Sequence, residues 1–177
     1  MLKACAAVKL SLRPSRAAAI LALLLLTGAA TPAPPLAFPE VDHILVAKAA
    51  RTMTLYGVDG SVSVIEHAQL GGAPVGSKQF EGDQRTPEGR FVIDYGNPNS
   101  AYHLSLHIAY PRPEDTAYAR AQDRSPGGLI FIHGQPNDWP VGRAPGDWTD
   151  GCIALSDEEI EALWAAVPDG TPIEIVP

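Results

Sequence analysis

Cys152 and His133 are the residues of this sequence whose types and surroundings point to chemistry. They stand nineteen residues apart, His133 followed by Gly134 and Cys152 preceded by Gly151. The thiolate is the nucleophilic form of cysteine, and a free thiol is mostly protonated at neutral pH, so a base is needed. A nearby imidazole supplies one. A glycine just before the sulfur lets a substrate carbonyl approach. Amides around Gly151 and Cys152, expected just before a helix start, offer donors to a developing oxyanion. Nucleophile, base and backbone donors are the minimal set for acyl transfer. The bland alternative is a buried, inert cysteine; the polar, turn-like approach Thr149-Asp150-Gly151 argues against it.

These two residues need elements to position them. The apolar, β-branched run Leu129-Ile130-Phe131-Ile132 predicts a buried strand that delivers His133 at its end. Pro136, Pro140, Gly142, Pro145 and Gly146 then forbid any regular element before Cys152. After the cysteine, Ser156 and Glu159 form a Ser-x-x-Glu capping box. Ile160, Leu163, Trp164 and Val167 fall on one face of the helix it opens, and Pro168-Asp169-Gly170 ends it. Upstream, alternating apolar residues predict strands over 43–47, 51–56, 61–70, 90–95 and 102–110, with a turn at Asp59-Gly60. A glycine- and proline-rich loop spans 71–89, a short helix is predicted over 113–123, and a closing strand runs from Pro172 to Val176. The fold class is mostly β, a single domain with one well-capped helix after the cysteine.

The 177 residues allow one domain plus a targeting segment. Lys3, Lys9, Arg13 and Arg16, an apolar run from Ala17 to Leu26 and the small residues at 27–30 have the layout of a signal peptide over 1–30. The run is too short for a membrane span, which takes about 20 residues. A proline-rich spacer occupies 31–40 and the catalytic domain 41–177. Export to the periplasm or cell envelope follows, with no stable membrane span after cleavage. Beyond the leader nine basic residues face twenty acidic ones, a net charge of −11 that disfavours nucleic acid as a partner. Cleavage also removes Cys5 and leaves Cys152 as the single thiol. An unpaired cysteine in an exported chain points to a reactive thiol or an intermolecular bond.

His133-Gly134 with Thr149-Asp150-Gly151-Cys152-Ile153 resembles the active-site motif of the L,D-transpeptidase catalytic domain family, the YkuD-type fold. Arg85-Thr86-Pro87-Glu88-Gly89-Arg90-Phe91 is similar to the segment before that family's central strand, and Asp169-Gly170-Thr171-Pro172-Ile173 to its usual ending. The resemblance implies a sandwich-like domain acting on peptidoglycan stem peptides. It makes Cys152 the nucleophile that forms a thioester, His133 the general base and acid, and Gly151 with Cys152 the oxyanion site. An amine acceptor completes transpeptidation. Asp150 and Ala154 depart from the usual His and Arg or Asn of the motif, and an absent arginine removes a carboxylate-holding fork. Glu81-Gly82-Asp83, Leu104-Ser105-Leu106-His107-Ile108 and Asp147-Trp148-Thr149-Asp150 look closer to the envelope amidase or hydrolase branch. The alternative is therefore a hydrolase that trims stem peptides or detaches a peptidoglycan-linked lipoprotein. A non-catalytic peptidoglycan-binding protein is the lesser alternative.

The remaining candidates are substrate contacts: His107 in the cleft, Arg85 toward a carboxylate, Trp148 along a groove, with Asp150 and Gly134 beside the pair. Each also has a structural reading, as a packed histidine, a surface ion pair or a solvated turn. Trp139 and His103 carry no assigned role. No cofactor and no metal are expected, because His103 and His107 on one strand would lie roughly 13 Å apart and no zinc motif is present.

Overall fold

The computed structural model of the chain describes residues 34–177. The leader expected over 1–30, and the first part of the spacer, lie outside the described residues. From Pro34 to Glu40 the chain is irregular and mostly exposed, but Phe38 packs against the core.

Eight strands and two helices follow: β1 (Val41–Ala47), β2 (Thr52–Gly57), β3 (Val62–Ile65), β4 (Gly89–Ser100), β5 (His103–Ile108), α1 (Pro113–Arg120), β6 (Ile130–His133), β7 (Ile153–Ala154), α2 (Asp157–Ala166) and β8 (Pro172–Val176). The strands lie in the order β3-β2-β1-β8-β4-β5-β6-β7. β4 joins the two halves. Its first residues, Gly89 to Val92, pair with β8, and those from Ile93 onward pair with β5 across a register shift at Ile93/Tyr95. A strand that serves two partners in succession curls the sheet, because an irregular register sharpens local twist.

The core is what the alternation predicts. Ile44 and Val46 of β1, Met53 and Leu55 of β2, Phe91 and Ile93 of β4, and Ile173 and Ile175 of β8 point to one side and are buried. Each such side chain contributes about 1.5–3 kcal/mol by leaving water. On α2, Ser156 accepts from the Glu159 amide while the Glu159 carboxylate accepts from the Ser156 amide, the predicted reciprocal cap. Ile160 and Leu163 are fully buried, and α2 lies against β5 and β6. Trp164 packs so near Gly96 that a Cβ there would meet its ring at 2.5 Å.

Three boundaries differ from the sequence reading. The strand expected over 61–70 stops at Ile65, since His67 takes a positive φ of 61° and turns the chain away. β4 continues through Asn97-Pro98-Asn99, where the sequence suggests a stop, because its second half is an outer partner for β5. Cys152 does not lead directly into the helix. The two-residue β7 intervenes, docked parallel to β6 with Ile132 opposite Ile153 and His133 opposite Ala154.

Candidate active site

The β6–β7 register determines the geometry of the site. With Ile132 facing Ile153, Cys152 falls opposite Phe131, one residue before the pairing begins. Side chains alternate along a strand, so Phe131, His133 and Cys152 share one face. They line a common cleft of ≈ 250 Å³ with Tyr102, Ser105 and Leu129. The neighbouring positions Ile132, Ile153 and Leu155 are fully buried on the opposite side and anchor both strands in the core.

His133 is 3% exposed. Its Nδ1 lies 2.7 Å from the Gly134 carbonyl. The tautomer that donates there leaves Nε2 as an acceptor. Gly134 is itself fixed, its amide donating to the carbonyls of Tyr102 and Leu104 at 3.0 and 3.2 Å. A Cβ at position 134 would stand 2.6 Å from Asp157 Oδ1 and 3.0 Å from the His103 Cβ, so any larger residue must displace its neighbours. The imidazole packs against Tyr102 with centroids 4.6 Å apart and against Trp148 at 5.6 Å. Burial pushes the His133 pKa down, with the Gly134 carbonyl opposing.

Cys152 is half-buried and is the free cysteine of the described residues. The Phe131 amide donates to its Sγ at 3.4 Å, and the thiol points to the Leu129 carbonyl at 3.6 Å. Burial pushes the thiol pKa up; the Phe131 amide and the charge of Lys78 oppose this, and Asp150 adds to it. The two shifts run in opposite directions and both disfavour charge separation. A lowered imidazole and a raised thiol rest as a neutral pair, not as thiolate and imidazolium. Leu129, between the cleft and its rim, combines a φ of 55° with 72% exposure. A β-turn-averse aliphatic residue held there is the kind of local strain that clusters at functional sites.

Gly151 adopts a φ of 125°, and a Cβ would meet the Arg85 carbonyl at 2.5 Å. Its amide donates to Thr149 Oγ1 at 3.2 Å, while the Thr149 hydroxyl donates to the Cys152 carbonyl at 2.7 Å. Thr149 thus clamps the turn around the thiol. The Gly151 amide is committed to that clamp, so it is not free for an oxyanion in this conformation; of the helix-start amides, that of Glu159 is taken by Ser156. What Gly151 provides is the backbone path.

The other expected contacts divide. Trp148 joins the site through His133 and Tyr102. His107 shares the face of Phe131, 4.9 Å from its ring, but is paired with Asp94 at 2.6 Å and stacked on Tyr95. Arg85 borders Gly151 through its carbonyl, whereas its guanidinium runs along Gly76, away from the cleft. Asp150 is exposed and accepts from Gln84 at 3.4 Å; it does not orient His133, whose Nδ1 is on Gly134. His103 pairs with Glu161 at 2.7 Å, apart from His107. Tyr102 and Leu129 are not singled out by spacing. Phe131 has a signal as the residue two before His133 on the same strand face, and Thr149 as the first residue of the turn-like approach to Cys152.

The sequence model of the YkuD family, the L,D-transpeptidase catalytic domain, matches residues 41–175. The chain belongs to this family. Its YkuD domain is similar to solved structures, among them the helical cell shape determining protein Pgp2 from Campylobacter jejuni, at 26% identity and a TM-score of 0.60 over 80% of this chain and 50% of that one. Bd1075 from Bdellovibrio bacteriovorus matches at 21% identity and a TM-score of 0.51 over 81% of this chain and 53% of that one, a likeness of fold. The chain thus spans about half the length of these neighbours. A sequence comparison with curated proteins finds no match. The YkuD fold accounts for the curled mostly-β sheet and for the helix that follows the cysteine strand.

Proposed function

We propose that the chain is an exported L,D-transpeptidase acting on peptidoglycan stem peptides, with Cys152 as nucleophile and His133 as general base and acid. The observation that carries this reading is the placement of Cys152 and His133 on one face of the β6–β7 pair, in one cleft, with His133 Nδ1 occupied by Gly134. Nε2 is left to take the Sγ proton.

From a neutral pair, proton transfer accompanies attack. His133 Nε2 takes the Sγ proton as sulfur bonds to the stem carbonyl, and the tetrahedral oxygen carries the negative charge. Collapse breaks the carbonyl–nitrogen bond, and the imidazolium returns the proton to the leaving amine. The thioester then accepts an amine, whose proton passes to His133 before the thiol is restored. The Cys152 amide is the backbone donor on the oxyanion side, and the Thr149-clamped turn holds its path. Trp148 and Tyr102 exclude water from the imidazole and line the groove for the peptide, with His107 farther along the same face. In this reading 1–30 is a leader, 31–40 a spacer to the cell-envelope location, and 41–177 the catalytic domain. Cell shape is the process in which such crosslinking acts, as the name of the similar protein Pgp2 suggests.

Water as acceptor turns the same steps into hydrolysis, either trimming a stem peptide or detaching a linked lipoprotein. The observation favouring that reading is Ala154, fully buried two residues from the thiol, where no cation stands to hold a second carboxylate. Mass spectrometry of products from defined tetrapeptide muropeptides, with and without an amine acceptor, separates them. A crosslinked product supports transpeptidation and a shortened peptide hydrolysis. Intact muropeptides bound without conversion would leave only the binding-protein reading.

A further inference from the structure

Two buried glutamines lie outside the acyl-transfer set and touch both of its halves. Gln135, two residues after His133, is 2% exposed, and Gln69 is 7% exposed. Gln69 pairs its backbone with Ala154, two residues after Cys152, through bonds of 2.8 and 2.9 Å. The side chains meet, Gln135 Nε2 donating to Gln69 Oε1 at 3.2 Å. The second Gln135 proton goes to the Leu155 carbonyl at 2.5 Å, and Gln135 Oε1 accepts from the Ala144 amide at 2.8 Å. Both Gln69 protons go to the loop, to the carbonyls of Ala144 and Gly146 at 2.5 Å each.

Every donor of the pair is therefore used, and the loop receives three of its bonds. A proline- and glycine-rich loop has no ladder of its own, so its path is dictated by such fixed partners. The path continues through Asp147, which accepts from the Leu70 amide at 2.9 Å and from Arg51 at 2.5 Å. The next residue is Trp148, against the His133 ring.

We propose that the Gln69–Gln135 pair is the positioning device of the site: it fixes the loop between Gln135 and Asp147 so that Trp148 closes over His133. Gln135 follows the β6 end by two residues and Gln69 bridges to Ala154 at the β7 end, so histidine, cysteine and covering tryptophan are tied to one loop by a single buried network. Buried side-chain amides need partners in any case; what marks this pair is that three of those partners lie on the one loop that leads to Trp148. The inference rests on the reading of His133 as the base, yet its direct readout needs no turnover.

The test is an imidazole NMR titration of His133 in the full chain and in Gln69→Met, together with acylation kinetics on a tetrapeptide muropeptide. The groups facing His133 are Tyr102, Cys152 across the strand pair, and Asp157 behind Gly134, and all remain in the variant. With the loop released, water reaches the ring and its midpoint moves up toward the ordinary value of 6.5. The acylation rate falls by between about ten- and a hundredfold through lost positioning. In a Trp148→Ala background Gln69→Met should then have no further effect on the titration, because both act through the same contact. An unchanged midpoint with a lowered melting temperature, or additive shifts in the double variant, would overturn the proposal. Gln135→Met repeats the test if Gln69→Met does not fold. Failure of both to fold would make the pair a folding requirement and also overturn it. A wild-type protein that forms no acyl-enzyme would count against the function instead, leaving the titration to judge the glutamines.

Discussion

The Phe131 amide donates to Cys152 Sγ at 3.4 Å across the strand pair that also carries His133. A backbone donor on the sulfur favours its anionic form and aims the side chain, while burial opposes the charge more strongly. The thiol is thus held in place yet kept protonated until a substrate brings its own electrophile. In the proposed mechanism the imidazole, and not a standing thiolate, activates the sulfur.

Cys152→Ala should abolish acyl-enzyme formation, seen as loss of the thioester mass adduct, with little change in melting temperature because the side chain is small and half-buried. Retained turnover would remove Cys152 from the role of nucleophile. His133→Asn should leave the fold but lower the acylation rate by at least about a hundredfold, the range for a positioned general base.

Thr149→Val removes the hydroxyl that bridges the Gly151 amide and the Cys152 carbonyl. Thr149 is 4% exposed, so the orphaned amide has no water to turn to. The expected loss is about 1–3 kcal/mol in chemical denaturation. Thr149→Ser keeps the hydroxyl and should retain both stability and acylation; equal damage from both variants would show that the hydroxyl bridge is not what the valine variant loses.

Gly151→Ala meets two obstacles, a φ of 125° and a Cβ 2.5 Å from the Arg85 carbonyl. The obstructing atom is backbone, so truncating Arg85 to alanine in the same chain should not rescue it. A loss of about 1–3 kcal/mol from the strained φ alone is expected, and more with the clash. Denaturation midpoints of the single and double variants check this.

Acidity should act through His133 first. Acylation requires the neutral imidazole, so its rate should fall on an acid limb whose midpoint lies below 6.5. Stability follows the same group. The unfolded chain binds more protons than the folded one between 6.5 and the lowered folded value, so stability present above 6.5 is lost as pH falls through that window. Cys152 acts oppositely: its raised folded pKa makes stability fall as pH rises above 9.0. His133→Asn should flatten the acid limb of the denaturation midpoint, and Cys152→Ala the alkaline one.

Much of the molecule is legible in one dimension. The alternation in β1, β2, β4 and β8, the apolar run of β6, the Ser156–Glu159 cap and the buried stripe of α2 are local statements, because side-chain period and capping depend on neighbours a few residues away. The identity of Cys152 and His133, with Gly151 and Gly134 beside them, is equally local, although the segments that a Cβ at either glycine would strike are remote in the chain. Their meeting is not. It depends on the parallel docking of the two-residue β7 on β6, which has too few residues to announce a period. The direction of Arg85, the engagement of Asp150 with Gln84 and the commitment of the Gly151 amide to Thr149 also needed partners from distant segments. So did the glutamine pair, whose residues stand 66 positions apart. Sequence determines which groups are candidates for the proposed acyl transfer. Tertiary structure alone decides which of them face one another, because hydrogen bonds between remote segments leave no periodic trace along the chain.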